Sequence, residues 1–182
     1  MCIRDSPNIT IAAYGRLCDA KGFDTLIRAF KKVANPRLSL KIAGDGPLES
    51  YLKQLAEEDK RIQLVGRVED VPEFLSEVDL VMVPSVSEAF GLVCLEAKAA
   101  GKAVIVSDID GLSEQVKSCP NNQASSKCGM TIPNHNTDAI ASIIYQLPKM
   151  PLAEWGLNGR RQVNNAWRNY QFQWNQLFSS LV

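Results

Sequence analysis

The sequence predicts an α/β domain, a doubly wound parallel sheet flanked by helices. Three observations lead there. Short apolar runs alternate with helix-like segments along the chain, the order that parallel strands joined by helical crossovers require. The runs are continuously apolar rather than alternating, as expected of strands covered on both faces. The loops that carry glycine and charge follow the ends of these runs, where ligands bind in such sheets.

Strands are expected at about residues 9–13, 38–43, 62–65, 80–84, 104–107 and 129–132, and helices at about 25–34, 47–58, 71–77, 90–100, 112–116 and 137–146. The first run, Ile9-Thr10-Ile11-Ala12-Ala13, leads into Gly15-Arg16-Leu17 and then Lys21-Gly22. The second ends in Ile42-Ala43-Gly44-Asp45-Gly46-Pro47. That segment lacks both the Gly-x-Gly-x-x-Gly spacing and the Walker lysine pattern, so it reads as a turn with Pro47 at the first helical position. Leu64-Val65-Gly66-Arg67-Val68 closes the third, and Leu80-Val81-Met82-Val83-Pro84 is a buried fourth. A small-residue helix around Cys94–Ala100, stopped by Gly101, follows it. Val104-Ile105-Val106-Ser107-Asp108 then precedes Gly111-Leu112-Ser113-Glu114-Gln115-Val116. Residues 120–126 form a polar loop with no assigned chemistry. In the tail, Val163, Trp167, Tyr170, Trp174, Leu177 and Leu181 recur at spacings of three and four, an apolar stripe on one helix face.

The segment from Ser87 to Ala97 carries the most chemistry. A strand, a short loop and a helix start make an anion site, because free N–H groups point out of the first turn. Two carboxylates frame it, Glu88 before the turn and Glu96 among Leu95, Ala97 and Ala99. A carboxylate on a small, apolar helix needs a partner, and sugar hydroxyls are good donors to it. The plainer alternative is an acid placed for the helix dipole and a second, solvated Glu. Arg16 offers phosphate a bidentate fork and Lys21 a mobile point charge, or both are ordinary loop cations. Gly91 would allow close approach to the backbone, or simply relieve a tight turn.

Composition excludes several classes. Twenty basic and twenty acidic residues balance to a net charge of zero in 182 residues, so there is no electrostatic footprint for nucleic acid. Five scattered cysteines without a Cys-x-x-Cys pair argue against a disulfide framework or zinc site and for a reducing compartment. The single histidine, His135, stands beside Asn134 and Asn136, so a Ser/His triad is hard to build. No Asp-x-Asp motif offers the compact acidic cluster that a diphosphate-bound Mg²⁺ needs. No apolar run reaches spanning length, and no signal peptide is visible.

Together, these motifs in this order resemble the C-terminal, nucleotide-sugar-binding half of a family 4 retaining glycosyltransferase of the GT-B fold, from about Ile9 onward. The resemblance implies a Rossmann-like donor domain over residues 9–150. Residues 1–8 would be a truncated or non-native segment, and 151–182 helices that cross back to an N-terminal acceptor domain, making the chain a fragment. It implies catalytic roles for Glu88 on the donor sugar and for Arg16 and Lys21 on the diphosphate. Gly15, Phe90, Gly91 and Leu92 would line the donor, with backbone N–H groups supplied by the helix start. Glu96 would accept from the ribose hydroxyls, and the backbone at Arg67 and Val68 would pair with the base. Glu114 would stand beside the donor or cap its helix. Ala89 departs from the Gly or Pro frequent in that family.

The implied reaction is sugar transfer with retention from a nucleotide-diphospho-sugar, UDP-linked in the commonest case, to a glycan or lipid-linked acceptor. No cofactor and no metal are expected. The setting would be cytoplasmic, with peripheral membrane association of the full-length enzyme and a role in cell-envelope polysaccharide synthesis. A non-catalytic nucleotide-sugar-binding module shares every motif and is the alternative. A related 2-epimerase would need carboxylates and histidines that are scarce here.

Overall fold

The computed structural model describes residues 8–117 and 127–179. Six strands form one parallel sheet: β1 Ile9–Tyr14, β2 Leu38–Ala43, β3 Ile62–Gly66, β4 Leu80–Val83, β5 Ala103–Ser107 and β6 Gly129–Ile132. Their spatial order is β3-β2-β1-β4-β5-β6. The chain therefore winds outward from β1 in one direction and from β4 in the other, and the sense reverses between these two neighbours. A crevice opens at such a reversal, beyond the carboxyl ends of the strands.

Alternation along each strand builds two cores. Ile11 and Ala13 of β1, Leu80 and Met82 of β4, and Ile105 of β5 face one side. There they meet Leu26, Ile27 and Phe30 of α1 (Phe23–Lys31), Leu52 of α2 (Glu49–Ala56), and Ile140 and Ile144 of α6 (Thr137–Gln146). Ala12, Tyr14, Val81, Val83, Val104 and Val106 face the other side. Their partners are Phe74 and Leu75 of α3 (Val71–Ser76), Cys94 and Ala97 of α4 (Leu92–Ala99), and Leu112 and Val116 of α5 (Asp110–Lys117). Phe23, Leu26, Ile27 and Phe30 fall at helical spacing and are all buried, which explains why α1 forms and which face it turns inward. Phe30 is fully buried, and truncating it to Ala would cost about 3–5 kcal/mol. Asp70 caps α3 by accepting from the Glu73 N–H at 2.8 Å, and Asn136 caps α6 through Ala139 at 2.9 Å.

The boundaries differ from the sequence reading where a backbone N–H is committed elsewhere or a glycine turns the chain. Pro47 is not in α2: the Leu48 N–H donates to the Leu17 carbonyl at 3.0 Å, and the helix starts at Glu49. Phe90 is not in α4, because Gly91 takes φ 78° and caps a helix that begins at Leu92. Glu114 lies within α5, exposed, so it does not cap that helix.

The tail is one 28-residue helix, α7 (Leu152–Ser179). Its first turns bury Trp155, Gly156, Asn158 and Gly159, and it packs on α4, β5 and β6. Farther along, Val163 is half-buried while Trp167 and Tyr170 are exposed, their rings stacked with centroids 5.7 Å apart. Trp174, Leu177 and Leu181 of the expected stripe lie outside the described side chains, as does the loop at 120–126. Among the described residues no helix is long and apolar enough to cross a membrane.

Candidate functional site

The crevice between β1 and β4 collects most of the charged residues that the sequence singled out. The loop after β1 is pinned at both ends. Gly15 N–H donates to the Ala43 carbonyl at 3.0 Å, Leu17 N–H to the Asp45 carbonyl at 2.7 Å, and the Leu17 side chain is buried. Arg16 stands between these anchors with an exposed side chain that has no hydrogen-bond or ion-pair partner among the described residues. A guanidinium on a fixed backbone, unpaired and open to solvent, is free to take an anion bidentately.

The loop after β4 leans on the loop after β1. Val86 N–H donates to the Ala20 carbonyl at 2.8 Å. A side chain on Gly22 would put its Cβ 2.3 Å from the Pro84 carbonyl oxygen, so the two loops touch backbone to backbone. This contact brings Lys21 and Glu88 together. The Lys21 ammonium donates to Glu88 Oε2, an ion pair between side chains 23% and 17% exposed. Residues that the sequence assigned separately to diphosphate and sugar therefore hold each other.

The start of α4 completes the crevice. Gly91, at φ 78°, packs against Leu112, and a Cβ there would come within 2.2 Å of Leu112 Cδ2. Among the described residues no side chain caps the helix, which leaves N–H groups of its first turn available to an anion. Phe90 and Leu92 are exposed beside this turn. Gln115 of α5 holds the turn from behind, its amide donating to the carbonyls of Phe90 and, at 3.3 Å, of Gly91. One turn into α4, exposed Glu96 accepts from the Tyr14 hydroxyl, 3.1 Å from Oε2. Burial, and after it the Glu96 carboxylate, push the Tyr14 hydroxyl well above its ordinary pKa, so it remains a donor at any physiological pH. Burial likewise pushes the Cys94 thiol up to about 12, which leaves it a packing residue.

Arg67 and Val68 lie apart from this cluster, past the end of β3 at the sheet edge. The exposed Arg67 guanidinium is 3.8 Å from Asp45, whose backbone holds Leu17. Val68 is half-buried against the α3 side of the core. The structure thus brings Gly15, Arg16, Lys21, Glu88, Gly91, Leu92 and Glu96 to the crevice, with Phe90 on its exposed lip, and leaves Arg67 and Val68 on its flank. Sequence reading assigned nothing to Tyr14 or Gln115. A tyrosine at a strand end and a glutamine inside a helix signal nothing until their partners, far along the chain, are known.

Residues 3–168 match the family model for glycosyl transferases group 1. The chain belongs to that family. It is 32% identical over 176 residues to an uncharacterized glycosyltransferase of Methanocaldococcus jannaschii, covering 92% of this chain and 42% of that protein. It is 30% identical over 171 residues to the GDP-mannose-dependent monoacylated alpha-(1-6)-phosphatidylinositol monomannoside mannosyltransferase of Corynebacterium glutamicum, covering 86% of this chain and 43% of that one. Its fold superposes on Anabaena HepE, crystallised with UDP, at a TM-score of 0.80 and 23% identity, over 96% of this chain and 49% of the other. The chain spans less than half the length of these relatives. The group 1 membership and the sheet order agree with the Rossmann-like half of a GT-B enzyme. Among the described residues, no group of three His, Cys, Asp or Glu is arranged to hold a metal.

Proposed function

We propose that this domain binds the nucleotide-diphospho-sugar donor of a glycosyltransferase that moves a hexosyl group, with retention, from a UDP-linked donor to a glycan or lipid-linked acceptor. The observation that carries the reading is the juxtaposition at the β1/β4 reversal of an unpaired Arg16, the Lys21–Glu88 ion pair and the Tyr14–Glu96 hydrogen bond. The cations and the two carboxylates there match three parts of one ligand. Arg16, Lys21 and the α4 N–H groups take the diphosphate, Glu96 the ribose hydroxyls and Glu88 the sugar.

When the bond from the anomeric carbon to the diphosphate breaks, its electron pair stays on the leaving oxygen. Preorganised cations stabilise the charge that grows there. Arg16 and Lys21 supply that charge from the protein, so the reaction proceeds without a metal. As the diphosphate recruits Lys21, Glu88 is released to accept from a sugar hydroxyl. Among the described residues Cys18, Cys94 and Cys128 form no disulfide, which fits cytoplasmic placement.

Isothermal titration of the chain with UDP, GDP and ADP, beside Arg16→Ala and Glu96→Ala, tests the reading. One nucleotide should bind selectively, and each variant should weaken it about tenfold or more, as expected for charge-assisted hydrogen bonds of about 1.5–3 kcal/mol. Absence of binding by all three, or unchanged affinity in both variants, would defeat the assignment.

A further inference from the structure

Glu96 sits on an exposed face of α4 with three rotatable bonds between backbone and carboxylate. Free, it would sample many orientations, and ordering it would oppose ligand binding. The structure removes that freedom from behind. Tyr14 ends β1, buried on the sheet face that meets α4, and its ring packs edge-on against Phe74 with centroids 5.9 Å apart. Two acceptors lie within reach of its hydroxyl, Glu96 Oε2 at 3.1 Å and the Val93 carbonyl oxygen at 3.2 Å. These residues stand three apart in sequence, so they share one face of α4. Among the described residues Tyr14 is the one hydrogen-bond donor to the Glu96 side chain. One carboxylate oxygen is occupied from inside the fold and the other is left for a ligand.

We infer that Tyr14 is a positioning residue for the nucleotide: its hydroxyl holds one oxygen of Glu96 so that the other meets the ribose hydroxyls. This rests on the donor-site reading above. Tyr14 touches no substrate; it acts through Glu96, and it ties that carboxylate to the strand that leads into Gly15 and Arg16. The diphosphate and ribose contacts are thereby set from one strand end.

Titration of Tyr14→Phe tests this, using the best-binding nucleoside diphosphate and its 2′,3′-dideoxy analogue. The wild type should prefer the ribonucleotide. Tyr14→Phe should weaken the ribonucleotide about three- to tenfold, the effect of one net hydrogen bond, and leave the dideoxy analogue unchanged. In a Glu96→Ala background, Tyr14→Phe should do nothing further to ribonucleotide affinity. Equal weakening of both ligands would make Tyr14 merely structural, and a retained wild-type preference, or a further loss in the Glu96→Ala background, would also overturn the inference. A wild type that binds both nucleotides equally defeats the Glu96–ribose reading itself and this inference with it. A wild type that binds neither defeats the donor site as a whole.

Discussion

Replacing Glu88 by glutamine should make nucleoside diphosphates bind more tightly, although Glu88 belongs to the proposed donor site. Its carboxylate pairs with the Lys21 ammonium, and both side chains are mostly withdrawn from solvent, at 23% and 17% exposed. An incoming diphosphate must share that ammonium with Glu88 while meeting the carboxylate's own negative charge. Two unit charges about 5 Å apart at an effective dielectric of about 20 interact by about 3 kcal/mol. Partial exposure and salt halve this, to about 1.5 kcal/mol, or roughly tenfold in affinity. Glutamine keeps the volume and one acceptor oxygen and removes the charge.

Titration with the nucleoside diphosphate alone, without its sugar, isolates this effect, because the sugar contact proposed for Glu88 is then absent. The gain should shrink as ionic strength rises past about 0.15 M. Lys21→Met should go the other way, losing affinity by a similar factor. Weaker nucleotide binding in Glu88→Gln, or a gain indifferent to salt, would refute the reasoning that Glu88 occupies the phosphate-binding cation.

Three further outcomes follow from the same geometry. Gly91→Ala forces a side chain to φ 78° and drives its Cβ to 2.2 Å from buried Leu112. That should cost about 3 kcal/mol, a fall in melting temperature of roughly 6–12 °C by calorimetry, and an unchanged midpoint would contradict the strained turn. Asp59 is held below the usual carboxylate range chiefly by its hydrogen bonds from Arg61, at 2.6 and 2.9 Å. Its contribution to stability is therefore present above the ordinary carboxylate pKa and is lost as pH falls through the lower folded value. Asp59→Asn should consequently flatten the acid side of the denaturation curve and change its slope little near neutrality. Finally, EDTA or added Mg²⁺ should leave nucleotide affinity within about twofold, because in the proposed site Arg16 and Lys21 provide the charge; a metal requirement would displace them from that role.

The strands were legible in the sequence because burial on both faces leaves continuous apolar runs. β2 and β6 begin and end at the residues expected, and the other four lie within one residue of expectation at each end. Helix starts were less legible. Phe90 looks like helix because it adjoins an apolar segment, whereas Gly91 sets the boundary through a backbone angle that no side-chain pattern reports. Pro47 misled for a related reason: its favourable first-turn chemistry is outweighed by Leu48 donating to Leu17 in the loop after β1. Arg16, Lys21, Glu88 and Glu96 stood out by residue type and by their place in the loops and helix after β1 and β4, and the family resemblance supplied their expected roles. Their pairing did not, since Lys21 and Glu88 are 67 residues apart and Tyr14 and Glu96 82. A local pattern identifies which groups arrive at the crevice, and only the packing of β1 against β4 decides which of them meet.

The strand order also constrains how the chain assembles. β1 is central, flanked by β2 and β4, yet β4 is made long after β1 and β2. Thr10 N–H must wait for the Asp79 carboxylate, 69 residues downstream, to close its 2.7 Å hydrogen bond. At about 5–20 residues per second of synthesis, this leaves the growing polypeptide with an open apolar edge for several seconds. During that interval β1, β2 and β3 are a half-sheet whose unpaired edge can template another chain. Because the crevice of the proposed donor site lies at this junction, the step that ends the exposure is the same step that forms the crevice.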